Sequence, residues 1–198
     1  MGLDLTYIEG QTPIDEDEKE GLLIKTITTR GELDEFEQYN IEKAVEWSLK
    51  NKCNINSILD ERFILEVHRR MFDEVWKWAG KFRNSNKNFG VDKSQIAIEL
   101  RKLLDDCKLW IKNKTYVEDE IAIRFKHRLV TIHLFPNGNG RHSRLCADIL
   151  ISHGLSRSIF TWHGSTLLKK DEARNKYLQA IRQADQGNYI SLIKFARL

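Results

Sequence analysis

The sequence predicts an all-α domain carrying one small irregular flap. Apolar residues recur at helical spacing in segment after segment, as they do in helices that bury one face. Only two prolines and eleven glycines interrupt 198 residues, which favours long helices over a many-turned β protein. One stretch breaks the pattern. Phe82-Arg83-Asn84-Ser85-Asn86-Lys87-Asn88-Phe89-Gly90-Val91 is rich in turn formers and reads as a loop or small β-hairpin.

Along the chain, residues 1–30, with Pro13 and the charge run Asp15-Glu16-Asp17-Glu18, read as an extended or irregular acidic arm. From about Glu32 to Lys50, the spacing of Ile41, Ala44, Val45 and Leu49 gives a helix. Residues 57–77 give another, with Phe63, Val67, Met71 and Val75 on one face and Gly80 as its stop. A helix resumes near Gln95 and runs to about Asn113. Thr115-Tyr116-Val117-Glu118 fits a capping box, opening a helix that buries Ile121, Phe125, Leu129 and Ile132. That helix must stop near His133, because Pro136 cannot continue it and restricts Phe135 before it. Leu145, Ile149 and Leu150 start the next, which ends at Gly154, and helices over about 169–184 and 188–197 close the chain. The division is an arm over 1–30 and one helical domain over 31–198.

Composition narrows the function. The chain is 41% apolar, enough for a sizeable core, yet no apolar run reaches the eighteen or so residues of a membrane span. The amino terminus lacks a basic segment followed by an apolar one, so no signal peptide is expected and the location expected is cytoplasmic. Three separated cysteines, Cys53, Cys107 and Cys146, read as reduced thiols. The net charge of +3 divides unevenly: residues 1–50 carry −8 and residues 51–198 carry +11. A basic body suits an anionic ligand.

The residues that carry chemistry lie at 133–144. Gly138-Asn139-Gly140 permits positive φ angles and leaves no Cβ in the way, so successive N–H groups can line one anion-binding concavity. A helix starting there adds the positive end of its dipole. Arg141 and Arg144, three apart, present both guanidinium forks on one face. His133 would sit beside bound phosphates, with a near-neutral pKa suited to a general base. The loop is not a Walker A sequence, and His127, His133 and His142 lack the spacing of a helical metal pair.

His133-Leu134-Phe135-Pro136-Asn137-Gly138-Asn139-Gly140-Arg141-His142-Ser143-Arg144 resembles the signature of Fic-domain proteins, His-x-Phe-x-(Asp/Glu)-Gly-Asn-Gly-Arg-x-x-Arg. Trp78-Ala79-Gly80-Lys81-Phe82-Arg83 resembles the segment leading into the Fic flap, and Tyr177-Leu178-Gln179-Ala180-Ile181 a stretch of its C-terminal helices. Gly10-Gln11-Thr12-Pro13 and Thr29-Arg30-Gly31-Glu32-Leu33-Asp34-Glu35 are similar to the Fic subgroup called mobile mystery protein B.

The resemblance implies a nucleotidyltransferase that moves AMP from ATP, with Mg²⁺, onto a Ser, Thr or Tyr hydroxyl of a target protein. His133 would take the hydroxyl proton, and Phe135 would anchor the loop. Gly138, Asn139 and Gly140 would hold the α- and β-phosphates through their amides and the Asn139 side chain. Arg141 would bind the β-phosphate side and Arg144 the γ-phosphate. The flap, including Asn86, Lys87, Asn88, Phe89, Gly90 and Val91, would clamp the target by strand-like pairing. Asn137 departs from the pattern: the family has an acidic residue there that helps hold Mg²⁺, and a carboxamide brings no negative charge to a hard cation.

Many Fic proteins also carry an inhibitory glutamate in (Ser/Thr)-x-x-x-Glu-(Gly/Asn). Glu20-Gly21 is a Glu-Gly pair in the acidic arm, with Glu16 where Ser or Thr is expected, and Thr28-x-x-x-Glu32 keeps only the first half of the pattern. The charge division makes a pairing of Glu20 with Arg144 the expectation. Three rival readings stand beside adenylyl transfer. One is a weakened or inactive nucleotide-binding module acting through a partner encoded nearby. Another is a Fic enzyme moving a different group. The third is nucleic-acid binding, which the scattered basic residues and the core-type spacing of Trp76, Trp78 and Trp110 disfavour.

Overall fold

The computed structural model describes residues 14–162 and 170–198, the side chains of the second stretch from Glu172 onward. The Gly10–Pro13 run and the predicted helix start at 169 lie outside the described residues. The charge run expected to be irregular forms one helical turn, α1 (Glu16–Lys19), whose Glu18 carboxylate reaches back to accept from Asp15 N at 2.8 Å. Beyond it the arm is drawn into the core, with Ile14, Leu22 and Ile27 buried.

Helix α2 (Arg30–Lys50) starts at a capping box: Glu32 N donates to Thr29 Oγ1 at 3.3 Å, and Glu32 Oε2 accepts from Thr29 N at 3.0 Å. Its buried stripe is Leu33, Glu37, Asn40, Ala44 and Ser48, displaced by one position from the apolar one expected. Val45 and Leu49 instead face solvent, at 38% and 63% exposure. A partly polar stripe survives burial because its members find partners. Asn40 Nδ2 donates to Arg70 O at 3.0 Å, and its Oδ1 accepts from Glu74 N at 3.1 Å.

The single helix expected over 57–77 is two, α3 (Ile55–Ile58) and α4 (Glu61–Phe72), the second started by Asp60 accepting from Arg62 N at 2.8 Å. It stops at Phe72 because the following backbone pairs with the arm. Leu23 N donates to Val75 O and Lys77 N to Gly21 O, both at 2.9 Å, around a lone antiparallel bridge between Leu22 and Trp76. Gly80, at φ +74°, then turns the chain back against α4, where a Cβ would lie 2.8 Å from that of Arg69.

Helix α5 (Ile96–Lys112) ends with Lys114 at φ 51° and Thr115 N donating to Trp110 O at 2.9 Å. That closure occupies Thr115, so the expected capping box does not form and α6 (Glu118–Ile132) starts from Val117. Ile121, Phe125, Leu129 and Ile132 are buried as expected. Helix α7 begins earlier than expected (Asn139–Ile149) and runs on into a wider π turn, Leu150–Gly154. Helices α8 (Lys170–Asp185) and α9 (Ile190–Arg197) pair with each other. Helix α6 lies between α5 and α7, and α4 joins α2 to α7. The all-α class holds, and no β-hairpin is formed among the described residues. The three cysteines are free thiols, and no described helix is long and apolar enough to cross a membrane.

Replacing Asn40 by Ala leaves Arg70 O and Glu74 N without their partner in a partly buried place. It is expected to lower stability by about 1–3 kcal/mol, read as a shift of the urea midpoint at unchanged slope.

Candidate active site

Helix α6 delivers His133 at its carboxyl end in a left-handed conformation, φ 60° and ψ 65°. For a residue with a Cβ that conformation costs on the order of 1 kcal/mol, so neighbours must hold it. Arg83 does. Its Nε donates to His133 O at 2.7 Å, Nη1 to Ser85 O at 2.7 Å, and Nη2 to Val91 O, while its own N–H donates to Leu134 O at 2.9 Å. One buried guanidinium thus ties both ends of the flap to the backbone of the histidine. Val91 N adds a bond to Ile132 O at 3.3 Å.

These side-chain bonds replace the strand ladder expected of a hairpin. Asn86 contributes too, donating to Asp92 Oδ2 and accepting from Lys93 N, each at 2.8 Å. The flap is therefore a closed loop, with Asn86, Asn88, Phe89 and Gly90 exposed and Lys87 and Val91 partly covered. Gly90 passes directly over the histidine: at its φ of +102°, a Cβ would fall 2.6 Å from His133 Cβ. Sequence reasoning found the flap residues but not this contact or the role of Arg83.

After His133 the chain dives inward. Phe135 is fully buried and stacks on His68, ring centroids 3.6 Å apart. Asn139 closes the loop around it: Phe135 N donates to Asn139 Oδ1 at 3.0 Å, and Asn139 Nδ2 donates to Phe135 O at 2.8 Å. The Asn139 carboxamide, expected on the phosphates, is thereby engaged with the loop itself, and its backbone N–H is what faces the helix start. His68 braces the same loop from α4. Its Nδ1 accepts from Gly80 N at 2.9 Å, so Nε2 carries the proton and donates to Asn137 O at 3.1 Å. Nothing in the motif pointed to His68.

Gly138 has φ +78°, and a Cβ there would lie 2.5 Å from Phe72 Cζ, so only glycine fits. Gly138 N donates to Asn137 Oδ1 at 2.7 Å. The first intrahelical bond of α7 is His142 N to Gly138 O at 2.9 Å. The amides of Asn139, Gly140 and Arg141 precede it at the positive end of the helix. A Cβ on Gly140 would meet nothing within 4 Å, which leaves open space for a ligand beside those amides.

Both motif arginines border that space. Arg144 Nε donates to Gly140 O at 3.3 Å and its guanidinium lies 5.5 Å from the Tyr177 ring centre. Arg141 packs over Phe72, and its Nη2 lies 2.7 Å from Glu37 Oε2, an ion pair outside good hydrogen-bond geometry. Glu37 is buried on α2, and its other oxygen accepts from Trp76 Nε1 at 2.7 Å. Glu20, by contrast, is exposed, and no ion pair among the described residues joins it to Arg144. Glu32, the other half-match, is held in the Thr29 cap. The carboxylate that meets a motif arginine is Glu37, and the arginine is the first of the two. The clue available in the sequence was a lone glutamate on the buried stripe of α2.

Burial and then the Arg83 and Lys87 charges push the His133 pKa down to about 4, so its imidazole is neutral at neutral pH. As a magnesium ligand Asn137 fits poorly. It offers one uncharged oxygen already accepting a backbone proton, and no cluster of three or more His, Cys, Asp or Glu side chains among the described residues could hold a metal.

The buried histidines give the fold an acid limit. His133 and His142 are lowered to about 4, and His68 is held well below its usual value, all chiefly by burial. The unfolded chain protonates them near 6.5, so their stability contribution is complete above that pH and declines as pH falls towards 4. Each adds a slope of about 1.4 kcal/mol per pH unit at most. Asp148, raised to about 6 by burial, binds its proton in the folded state first and offsets roughly one of them. Urea midpoints are expected to fall from neutral to mildly acidic pH, with a shallower fall in His142→Asn than in wild type relative to each protein's own neutral value.

Residues 58–151 match the family model described as the Fic/DOC family. A protein adenylyltransferase Fic of Aedes aegypti is 25% identical over 159 residues, 78% of this chain and 30% of the relative. A probable protein adenylyltransferase of Aquifex aeolicus is 32% identical over 90 residues, 44% of this chain and 25% of the relative. The chain thus spans under a third of these curated relatives. Among solved structures, BepC of Bartonella tribocorum with bound AMPPNP superposes with a TM-score of 0.68 at 17% identity, covering 92% of this chain and 97% of that one. The Fic domain of a Bartonella quintana cell filamentation protein with bound ADP gives 0.64 at 18%, covering 87% and 86%. These likenesses share the fold described above, and the stretch that matches the Fic/DOC family model, residues 58–151, includes the loop that closes around Phe135 after His133.

Proposed function

We propose that the chain is a protein adenylyltransferase that moves AMP from ATP to a hydroxyl of a target protein. The observation that carries this reading is a neutral, buried His133 at the end of α6, joined by one short loop to the helix start at Gly140 with its open space and to Arg141. The adenylyltransferase names of the relatives and the nucleotides bound to the structural neighbours support it. In this reading the backbone amides of Asn139, Gly140 and Arg141 bind the phosphates, with Arg141 and Arg144 on the β and γ side. The target hydroxyl attacks the α-phosphorus, the bond to the bridging β oxygen breaks, and pyrophosphate leaves. His133 accepts the hydroxyl proton. The flap holds the target segment next to Gly90, and the chemistry is positioning plus charge stabilisation.

Magnesium would accompany the phosphates, with Asn137 able to lend at most its neutral oxygen. The measurement is transfer of label from α-labelled ATP to protein. Loss of the general base in His133→Ala is expected to slow transfer by about 10²–10⁴-fold, and Asn137→Asp to raise the response to added Mg²⁺. Equal labelling by wild type and His133→Ala would sink the catalytic reading and leave a binding module.

Glu37, in place of Glu20, is the inhibitory carboxylate of this reading. It holds the guanidinium that a phosphate must take over, and it is buried where solvent screens the pair little. Glu37→Gln keeps an acceptor for Trp76 while removing the charge. It is expected to tighten ATP binding by about tenfold, corresponding to about 1.4 kcal/mol, measured by calorimetry. Unchanged affinity would count against the competition.

A further inference from the structure

We infer that Lys87 is a positioning residue through which the acidic N-terminal segment holds the flap in place over His133. Its role rests on the adenylyl-transfer reading of the site, in which the flap receives the target.

The flap is fastened from two sides. On its inner side Arg83 binds the carbonyls of Ser85, Val91 and His133. On its outer side Lys87 turns away from solvent, its side chain only 4% exposed, and places Nζ 2.7 Å from Asp15 Oδ2 and 2.6 Å from Glu18 Oε2. Ser85 Oγ donates to the same Asp15 oxygen at 2.8 Å. Glu18 is itself 7% exposed, so one arm of this cluster is sealed from water. A buried charge whose partner is removed is left uncompensated, so the flap has strong reason to stay where Lys87 is paired. The Lys87 contact also holds the Asp15 carboxyl below its usual range.

The segment that supplies the carboxylates is itself fixed to the body. Trp78 Nε1 donates to Glu18 O at 3.1 Å, Ile14 and Leu22 are buried, and residues 21–23 pair with 75–77. A strut therefore runs from the segment after α4, residues 75–78, through α1, to the flap. Without it the flap would be held only on its inner side, by Arg83 and the Val91 N–Ile132 O bond, with Asn88, Phe89 and Gly90 exposed. A target segment pairs with backbone, so it needs the backbone held in register. Lys87 is not placed to touch a bound target, because its ammonium is turned into the strut.

Hydrogen–deuterium exchange on the full chain tests this without relying on turnover. In Lys87→Met, amides over 84–92 are expected to exchange roughly tenfold faster, while those of α6 and α7 keep wild-type rates and ATP affinity is unchanged. Lys87→Arg, which keeps the charge, is expected to restore slow exchange, and Glu18→Gln, which keeps an acceptor for Asp15 N, to loosen the same amides. Labelling of lysate proteins from α-labelled ATP is expected to fall in Lys87→Met at saturating ATP and recover in Lys87→Arg. Wild-type exchange over 84–92 in Lys87→Met would overturn the strut, and unchanged labelling despite a loosened flap would overturn its positioning role. If wild type itself transfers no label, the transfer reading and with it the positioning role fail, while the exchange result still decides the strut.

Discussion

The site depends on the two hydrogen bonds between the Asn139 carboxamide and the backbone of Phe135. They close the chain into a small ring, so that a left-handed histidine, a proline and a glycine with positive φ can follow one another between two helices. Buried amide groups of Phe135 would otherwise lack partners, at a cost of about 1–3 kcal/mol each. Once the ring is closed, Phe135 must stack on His68, and His68 must present its proton to Asn137 O. Gly138 then lands against Phe72, where no side chain fits. The phosphate-facing amides of α7 are aimed by this chain of necessities, not by the ligand they would bind.

A second constraint is electrostatic. The −8 and +11 halves of the sequence meet at two places beside the site. Glu37 meets Arg141, and Asp15 with Glu18 meets Lys87. The two contacts act in opposite directions within the proposed function. Glu37 occupies a guanidinium that phosphate needs, whereas the α1 carboxylates keep the flap ready for a target. Within that reading the N-terminal segment belongs to the working site, although a reading by charge alone makes it a solvated arm.

Why some of this was legible and some was not follows from the kind of information each residue carries. The 133–144 motif was readable because glycine, histidine and arginine are each recognised there by a property of the residue itself: backbone freedom, proton affinity, a charged fork. Helices such as α6, whose buried face is apolar, were equally plain. The buried face of helix α2 was misplaced by one position because it includes polar residues, of which Glu37 and Asn40 are buried against partners thirty or more residues away. The two capping boxes make the same point. Thr29 and Glu32 form theirs, while Thr115 is already held by the end of α5. Local pattern proposes a cap, and the neighbouring element decides whether the residue is free to form it. The flap failed as a hairpin for a related reason: Arg83 and Asn86 satisfy its backbone before a ladder can.

Asn137 takes on a different weight in this light. Read against the motif, it is a lost negative charge. In the fold its Oδ1 accepts from Gly138 N, and its carbonyl receives the His68 proton, so the residue is bound into the support of the loop by both of its acceptors. An acidic residue at this position would accept from the same amide and strengthen that bond by its charge, while placing a negative group beside the space proposed for phosphates. A magnesium ion would be needed there to offset the repulsion. With the neutral carboxamide, the cradle is left with backbone amides and arginines facing the anion, and the demand for a metal to offset local charge is correspondingly smaller. Within the proposed function the substitution would thus lower metal affinity and metal need together, while the other motif residues, His133, Gly138, Gly140, Arg141 and Arg144, are all retained.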